Sequence, residues 1–427
     1  MQELIYSSHF PELTHYAFRF PAKFHPGVAR ALLHEYGARL GWTLDPFCGS
    51  GTLLVEARVA SMNAVGSDID PLAVFVSRAK TQRYRPSSLR RYWERLSDKL
   101  ARVERSADTY EQLQFLDISD ADYFQEISNA GLEIPPIPNL FHWFRRYVIV
   151  DLANILRTIM STEMPRKYRD FFLLCFAAII RASSNADPVP VSGLEVTAYM
   201  RKRDAEGRIV NPFELFRKAV SRNLTGATEF WEVSDPRSSI QVRQVDATKL
   251  AAHFRRTFDS VITSPPYHSA VDYYRRHQLE MFWLGLTNTQ AERLKLLPQY
   301  IGRPRVRKGD HFATKPLSTP MAQAWEQAIR ARNPARAVAF RHYVNAMIAT
   351  LNQLANRVRP GGRLVMVVGH STWNGEEIPT TDLMRELAQP AFRLDHVLSY
   401  GIKNRYMSYS RHNGANIDRE YVLVFNR

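Results

Sequence analysis

Residues 263 to 267, Thr-Ser-Pro-Pro-Tyr, close the apolar run FDSVI and bring together groups suited to holding a planar base. Pro265 and Pro266 lack a backbone N–H and have a fixed φ, so the loop is stiff and its carbonyls point outward. Ser264 adds a hydroxyl and Tyr267 a flat face. Stiff acceptors beside an aromatic plate suit a base with an exocyclic amino group. Standing alone, Ser-Pro-Pro-Tyr would read more readily as a proline turn capping a core strand.

The elements around them argue for a site. Phe258 to Ile262 is short and β-branched, the pattern of a buried strand, and it opens into this loop at its carboxyl end, where open α/β sheets keep their ligands. A second such place occurs early, in WTLDPFCGSGT (Trp42 to Thr52), which reads as strand, glycine turn and helix. Gly49 and Gly51 allow the backbone to pass close to a ligand. Asn63 to Asp68 follows as another strand ending in an acid, and Asp70-Pro71 makes a good start for the next helix. The spacing from Gly51 to Asp68 is close to that between a glycine turn and a carboxylate for ribose hydroxyls. The turn lacks the Gly-Lys-Ser/Thr of a phosphate loop and the third glycine of a dinucleotide site. A cofactor such as S-adenosylmethionine fits it better. Cys48 reads as packing in a tight turn, since no histidine is near it in sequence.

The chain of 427 residues is 45% hydrophobic, enough for a sizeable core in one large domain with insertions or in two domains. With 57 basic against 42 acidic residues its formal charge is +15, which favours a polyanionic partner. The longest apolar run, Phe171 to Ile180, is half the length of a membrane span, and no secretory signal opens the chain. Two cysteines, without C-x-x-C spacing, leave no basis for a disulfide framework or a cysteine-rich zinc site. No metal is expected, and a cytoplasmic location is.

The expected fold class is α/β, a Rossmann-like and mostly parallel sheet whose last strand is antiparallel, with a large helical insertion. Residues 1–87 hold an aromatic arm and the glycine turn. Residues 88–239 form the helical insertion, where the strand pattern stops. Residues 240–286 resume the sheet, with Asp246 just past one strand, TSPPY past the next, and a helix from Tyr274 to Leu286. Residues 287–340 read as an irregular basic insertion. Residues 341–427 complete the sheet, with a helix from His342 to Val358, a strand from Arg363 to Val368, and two final antiparallel strands. Arg275 and Arg276 after the TSPPY loop, and Arg303, Arg305, Arg307 and Lys308, are candidate phosphate contacts, against the plain alternative of a solvated charged loop.

LDPFCGSGTLLVEA (Leu44 to Ala57), SPPYHSAVDYYRRHQLEMFWLG (Ser264 to Gly285) and FPAKFHP (Phe20 to Pro26) resemble motifs of the S-adenosylmethionine-dependent DNA amino-methyltransferases, in particular the N4-cytosine group. The resemblance covers both ends and the piece around 240 to 286. It implies that Asp45, Phe47, Gly49 and Gly51 line the methionine side of the cofactor, that Asp68 takes the ribose hydroxyls, and that Asp246 meets the adenine amino group. Lys23, Phe24 and His25 belong to an arm closing over the cofactor, and Ser264, Pro265, Pro266 and Tyr267 hold the target base. Ser rather than Asp or Asn before the prolines leans toward cytosine N4 over adenine N6.

The implied partner is double-stranded DNA, with the base rotated out of the helix. A cognate restriction endonuclease is a candidate partner, and the oligomeric state is open. The nearest rival is an RNA methyltransferase acting on a base amino group, because DPFCGSGTLLVEA followed by GSDID resembles those enzymes as well. A binding protein without turnover is the rival from another class.

Overall fold

The computed structural model describes residues 2–7, 12–188, 193–268, 272–373, 376–389, 391–402 and 418–427. Ten strands are seen among them: β1 (Gln2–Glu3), β2 (Trp42–Asp45), β3 (Asn63–Asp68), β4 (Ile240–Gln244), β5 (Phe258–Thr263), β6 (Val358–Gly369), β7 (Ser371–Trp373), β8 (Glu376–Ile378), β9 (Arg393–Gly401) and β10 (Arg419–Asn426). Strands β7 and β8 pair only with each other, and the other eight form one sheet in the order β1-β9-β10-β6-β5-β2-β3-β4. Neighbours from β6 to β4 run parallel, whereas β10 is antiparallel to both β6 and β9. The expected Rossmann-like sheet is therefore present, with its last strand reversed. The connection from β9 to β10 lies outside the described residues.

Alternation along β6 explains the three layers. Val365 and Val367 pack with Leu32, Leu33, Leu53 and Leu54 of α1 (Pro26–Tyr36) and α2 (Thr52–Val59). Leu364, Met366 and Val368 face the other way, onto Phe340, Val344, Met347 and Leu351 of the helix Pro334–Ala355. A strand apolar on both faces must be covered on both, which is how a parallel sheet is stabilised.

Four expectations about elements need correction. The helix after the TSPPY loop is two short pieces, Tyr273–Arg276 and Gln278–Trp283, broken at His277, whose ring is held by Asp70. Residues 287–340 are largely helical rather than irregular, with helices at Gln290–Leu296, His311–Thr314 and Pro320–Arg332. Pro320 and Pro334 sit at first helical turns, where a missing N–H costs nothing, and break no helix. The long helix therefore starts at Pro334 and ends at Ala355, ahead of Val358. Strand β6 begins at that valine and runs through Pro360-Gly361-Gly362, with a register shift against β5 at Phe258/Ser260.

Residues 88–239 are helical, as expected, and carry a core of their own. The helices Arg146–Ser161, Arg166–Ser183 and Pro212–Val233 pack together through Ile149, Ile155, Phe172, Phe176 and Phe216. Leu279, Phe282 and Trp283, just after the TSPPY loop, insert into that core.

Candidate methyl-transfer site

The chain lays β3 and then β4 on one side of β2, and later lays β5 and then β6 on the other, so the order reverses between β2 and β5. A crevice opens at such a reversal, beyond the carboxyl ends of the strands. Asp45 ends β2, Asp68 ends β3, and Ser264 follows the end of β5, all on that edge. Thr263 donates its hydroxyl to Asp45 Oδ1 at 2.7 Å, joining the glycine-turn motif to the TSPPY strand across 218 residues of sequence.

The turn itself is built tightly. Gly49 and Gly51 have φ of 48° and 74°, and a Cβ on Gly51 would lie 2.9 Å from Ser77 Cβ. These are conformations that side chains resist. Gly49 N–H donates to Asp68 Oδ2 at 2.9 Å, while Ser77 and the buried Lys80 on α3 (Pro71–Thr81) donate to the carbonyls of Gly49 and Ser50, each at 2.7 Å. Burial pulls the Lys80 ammonium well below the usual lysine range. Phe47 N–H also reaches Asp45 Oδ1, at 3.2 Å. Cys48 is buried, its thiol pushed up by burial, in keeping with packing rather than chemistry.

Asp45 is 3% exposed and burial pushes its carboxyl up to about 7; burial and then the Asp70 charge push Asp68 up to about 6. Among the described residues neither carboxylate forms a salt bridge. A buried and a half-buried acid without an ion-pair partner among the described residues, set around a glycine turn, fit a ligand that carries a sulfonium and an ammonium group. The residues present therefore suit S-adenosylmethionine. Asp246 lies next along the same edge: Val245 N–H donates to the Asp68 carbonyl at 3.0 Å. Asp246 Oδ1 accepts from Thr248 N–H and hydroxyl at 2.9 and 2.7 Å, and it borders a cleft of about 420 Å³ with Pro298, Gln299, Ile301 and His342.

The arm residues are spread over several tasks. Lys23 donates to the His15 carbonyl at 3.1 Å and sits 3.6 Å from the centre of the Tyr16 ring, and burial lowers its ammonium to about 8. His25 accepts from Gly27 N–H at 3.2 Å, capping α1, and Phe24 packs against the core under α1. The arm residue against the turn is Phe20, 3.3 Å from where a Gly49 Cβ would sit and stacked on Tyr273 at 5.7 Å.

In the loop after β5, Pro265 is buried and Ser264, Pro266 and Tyr267 are half-buried. Tyr267 donates to Glu420 at 2.7 Å, and its carbonyl lies close to Gly302. Tyr300, 6% exposed, sits near Asp70 and Asp68, so that burial and then their charges raise its phenol. His277 Nδ1–H donates to Asp70 Oδ2, 2.6 Å away. Phe20, Tyr273, His277, Tyr300 and Glu420 were all missed from sequence. Phe20 lay inside the FPAKFHP motif, whereas nothing local marks Tyr300 or Glu420.

The expected phosphate contacts divide. Arg276 is 3% exposed and Arg303 5%, Arg303 being held by Asp310 and by the Arg305 carbonyl, so both are taken up inside the protein. Arg275 is half-buried with its guanidinium against the Leu194 carbonyl at 3.5 Å. Arg305, Arg307 and Lys308 are exposed.

A family model described as UPF0020, RMKL-like, methyltransferase domain, matches residues 15–113. Type II methyltransferase M.MvaI of Kocuria varians is 25% identical over 404 residues, covering 91% of this chain and 84% of its own. The activity class is methyl transfer from S-adenosylmethionine. Type II methyltransferase M.BsoBI of Geobacillus stearothermophilus is 21% identical over 409 residues, 88% of this chain and 77% of its own. A tRNA (guanine(10)-N2)-dimethyltransferase of Methanothermobacter thermautotrophicus is 38% identical, but over 68 residues, 16% of this chain and 20% of its own. Among solved structures, TrmN from Thermus thermophilus aligns over 98% of this chain and 53% of its own at 12% identity and a TM-score of 0.32, too low to bear on the methyl-transfer site. Among the described residues no helix is long and apolar enough to cross a membrane, and no cluster of metal-ligating side chains occurs.

Proposed function

We propose that the protein methylates the exocyclic N4 of cytosine within a specific double-stranded DNA sequence. The observation that carries this reading is the Thr263–Asp45 hydrogen bond of 2.7 Å, which sets the carboxylates suited to a cationic cofactor beside the Ser-Pro-Pro-Tyr acceptors suited to a base amino group. Asp45, Phe47, Gly49 and Gly51 hold the methionine end, Asp68 the ribose and Asp246 the adenine. The arm Lys23, Phe24 and His25 closes over them, and Phe20 joins it.

When bound, S-adenosylmethionine supplies an electrophilic methyl group. The cytosine amino group is a weak nucleophile, because its lone pair is delocalised into the ring. Ser264 Oγ and the Pro265 carbonyl accept its N–H bonds and favour the pyramidal form, whose lone pair is free to attack. Serine is too weak an acid or base to drive proton transfer, so orientation and fixed dipoles carry the catalysis, and the surplus amino proton leaves to water after the methyl has arrived. Tyr267 stacks on the everted base. Arg275 and the exposed Arg305, Arg307 and Lys308 meet phosphates, and residues 88–239 read the sequence.

Two Type II methyltransferases similar over most of the chain favour DNA, and with it a restriction-modification setting with a cognate endonuclease. The likeness to a tRNA methyltransferase is confined to 68 residues, and a shared cofactor accounts for it. Adenine N6 is the second DNA target to distinguish. Transfer of tritiated methyl groups to genomic DNA and to total RNA separates the readings: label in DNA, reduced at least about 100-fold in Ser264→Ala, is expected. Label in RNA alone, or an unimpaired Ser264→Ala, contradicts the proposal.

A further inference from the structure

Glu420 is the second residue of β10 and lies opposite Tyr400 of β9 in the antiparallel ladder, 153 residues beyond Tyr267. Both of its carboxylate oxygens are engaged. Oε1 accepts from the Tyr267 hydroxyl at 2.7 Å and Oε2 from the Tyr400 hydroxyl at 2.5 Å. Two phenols therefore donate to the one carboxylate. The Glu420 charge, after burial, raises the Tyr267 and Tyr400 phenols, so both stay protonated and able to donate.

The consequence is geometric. A tyrosine ring at the end of a loop can tilt about its χ angles, and a plate that must meet an everted base has to be held at one tilt. Pro265 and Pro266 fix the backbone before Tyr267, and the Glu420 bond fixes the far end of the ring. Glu420 is itself held by Tyr400, whose ring packs edge-on against Tyr6 at 5.5 Å, and Tyr6 in turn against His25 of the arm at 5.3 Å. Tyr6 also donates to the Gly401 carbonyl at 3.3 Å. Strand end, base plate and arm are thus tied through one carboxylate.

We propose that Glu420 is the positioning residue of the base site, setting the plane of Tyr267 for the everted base. This inference rests on the base-methylating reading above. It assigns Glu420 no contact with the base and no part in moving a proton.

The test compares full-length Glu420→Ala, Glu420→Gln, Tyr267→Phe and the double variant Glu420→Ala/Tyr267→Phe. Steady-state kcat and KM are read on the cognate duplex, cofactor affinity by titration with S-adenosylmethionine, and ring placement by fluorescence of 2-aminopurine at the target position. Glu420→Ala and Tyr267→Phe are each expected to lower kcat by about 10- to 100-fold, the scale of a small misplacement of reacting groups. Aminopurine emission rises in both, as the everted base loses its stacking. The loss in the double variant falls well short of the product of the two single losses, because each single variant already removes the Tyr267–Glu420 bond. Glu420→Gln, whose amide oxygen still accepts from Tyr267, keeps kcat within a few-fold of the wild type, and cofactor affinity is unchanged throughout. Tyr267→Phe removes one oxygen atom and guards against a folding defect in the Glu420 variants. Wild-type kcat in Tyr267→Phe, or multiplying losses in the double variant, overturns the positioning role while leaving base methylation intact. A wild-type protein that methylates no nucleic acid overturns both.

Discussion

Two stretches interrupt the sheet, residues 88–239 and 287–340, and they relate to it in opposite ways. The first builds a core of its own, joined to the segment after β5 by Leu279, Phe282 and Trp283. The second has none, and its Leu317, Ala322 and Ile329 complete the core beneath the helix Pro334–Ala355. The first also meets the helix that holds the glycine turn, through Leu174 and Ala177 packed on Leu72, Val76 and Ala79. The second is part of the site, since Tyr300 stands by Asp70 and Gly302 lies against the Tyr267 carbonyl. An inserted stretch with a private core suits recognition, while one that shares the sheet's core suits construction of the cleft.

Breaking the join at Trp283 is expected to have the largest effect. Trp283, 2% exposed and packed edge-on against Phe144 and Phe176, should cost about 3–5 kcal/mol of stability as Trp283→Ala. Hydrogen exchange should show the loss concentrated in residues 88–239. Equal loss of protection in the sheet would erase the contrast between the stretches.

Next comes Gly302→Ala. Gly302 has φ of 79°, and an added Cβ would lie 2.7 Å from the Tyr267 carbonyl oxygen, a backbone atom that can yield only by moving the base plate. A kcat lowered about 100-fold with cofactor affinity preserved is expected, on the scale of an ångström's displacement. Unchanged kcat would detach the second stretch from the site.

A smaller effect separates the exposed basic groups of the two stretches, Arg201, Lys202 and Arg203 against Arg305, Arg307 and Lys308. Replacing the second trio by alanine should weaken DNA binding about tenfold for every sequence. It should also flatten the dependence of log K on log salt by roughly 0.9 for each phosphate no longer neutralised. Disappearance of sequence preference in that variant would move recognition to the second stretch.

The smallest effect is in pH. With Asp45 at about 7 and Asp68 at about 6, lowering the pH protonates the acids that a cationic cofactor needs ionised. Affinity for S-adenosylmethionine is therefore expected to rise several-fold between about pH 6 and 7.5 and then to level. Calorimetry should detect proton release on binding in the lower half of that window. Affinity falling as pH rises would contradict the assignment of these carboxylates.

What could be read in the sequence was what local chemistry dictates. Gly49 and Gly51 are there for positive φ, Pro265 and Pro266 for stiffness, and the unbroken apolar run from Leu364 to Val368 for a buried strand, and each marks itself within a few residues. Asp45, Asp68 and Ser264 follow because strand ends were legible. Phe20 stood inside the FPAKFHP motif without being singled out there. Glu420 and Tyr300 were not legible, because their importance comes from what folding brings beside them, Tyr267 and Asp70. Arg276 and Arg303 mislead for the same reason, as composition cannot say which arginines a fold takes inside. The irregular reading of 287–340 failed because Pro320 and Pro334 start helices there, and a proline at a first turn looks locally like one in a loop.

The central claim is that carboxylates for a cationic methyl donor and a proline-stiffened base holder face one crevice. Nucleoside mass spectrometry of unmethylated genomic DNA incubated with the protein and S-adenosylmethionine tests it most directly. N4-methylcytosine at a recurring sequence, absent with Ser264→Ala, is the predicted result. DNA without any methylated base amino group, from protein that binds the cofactor, would contradict the account.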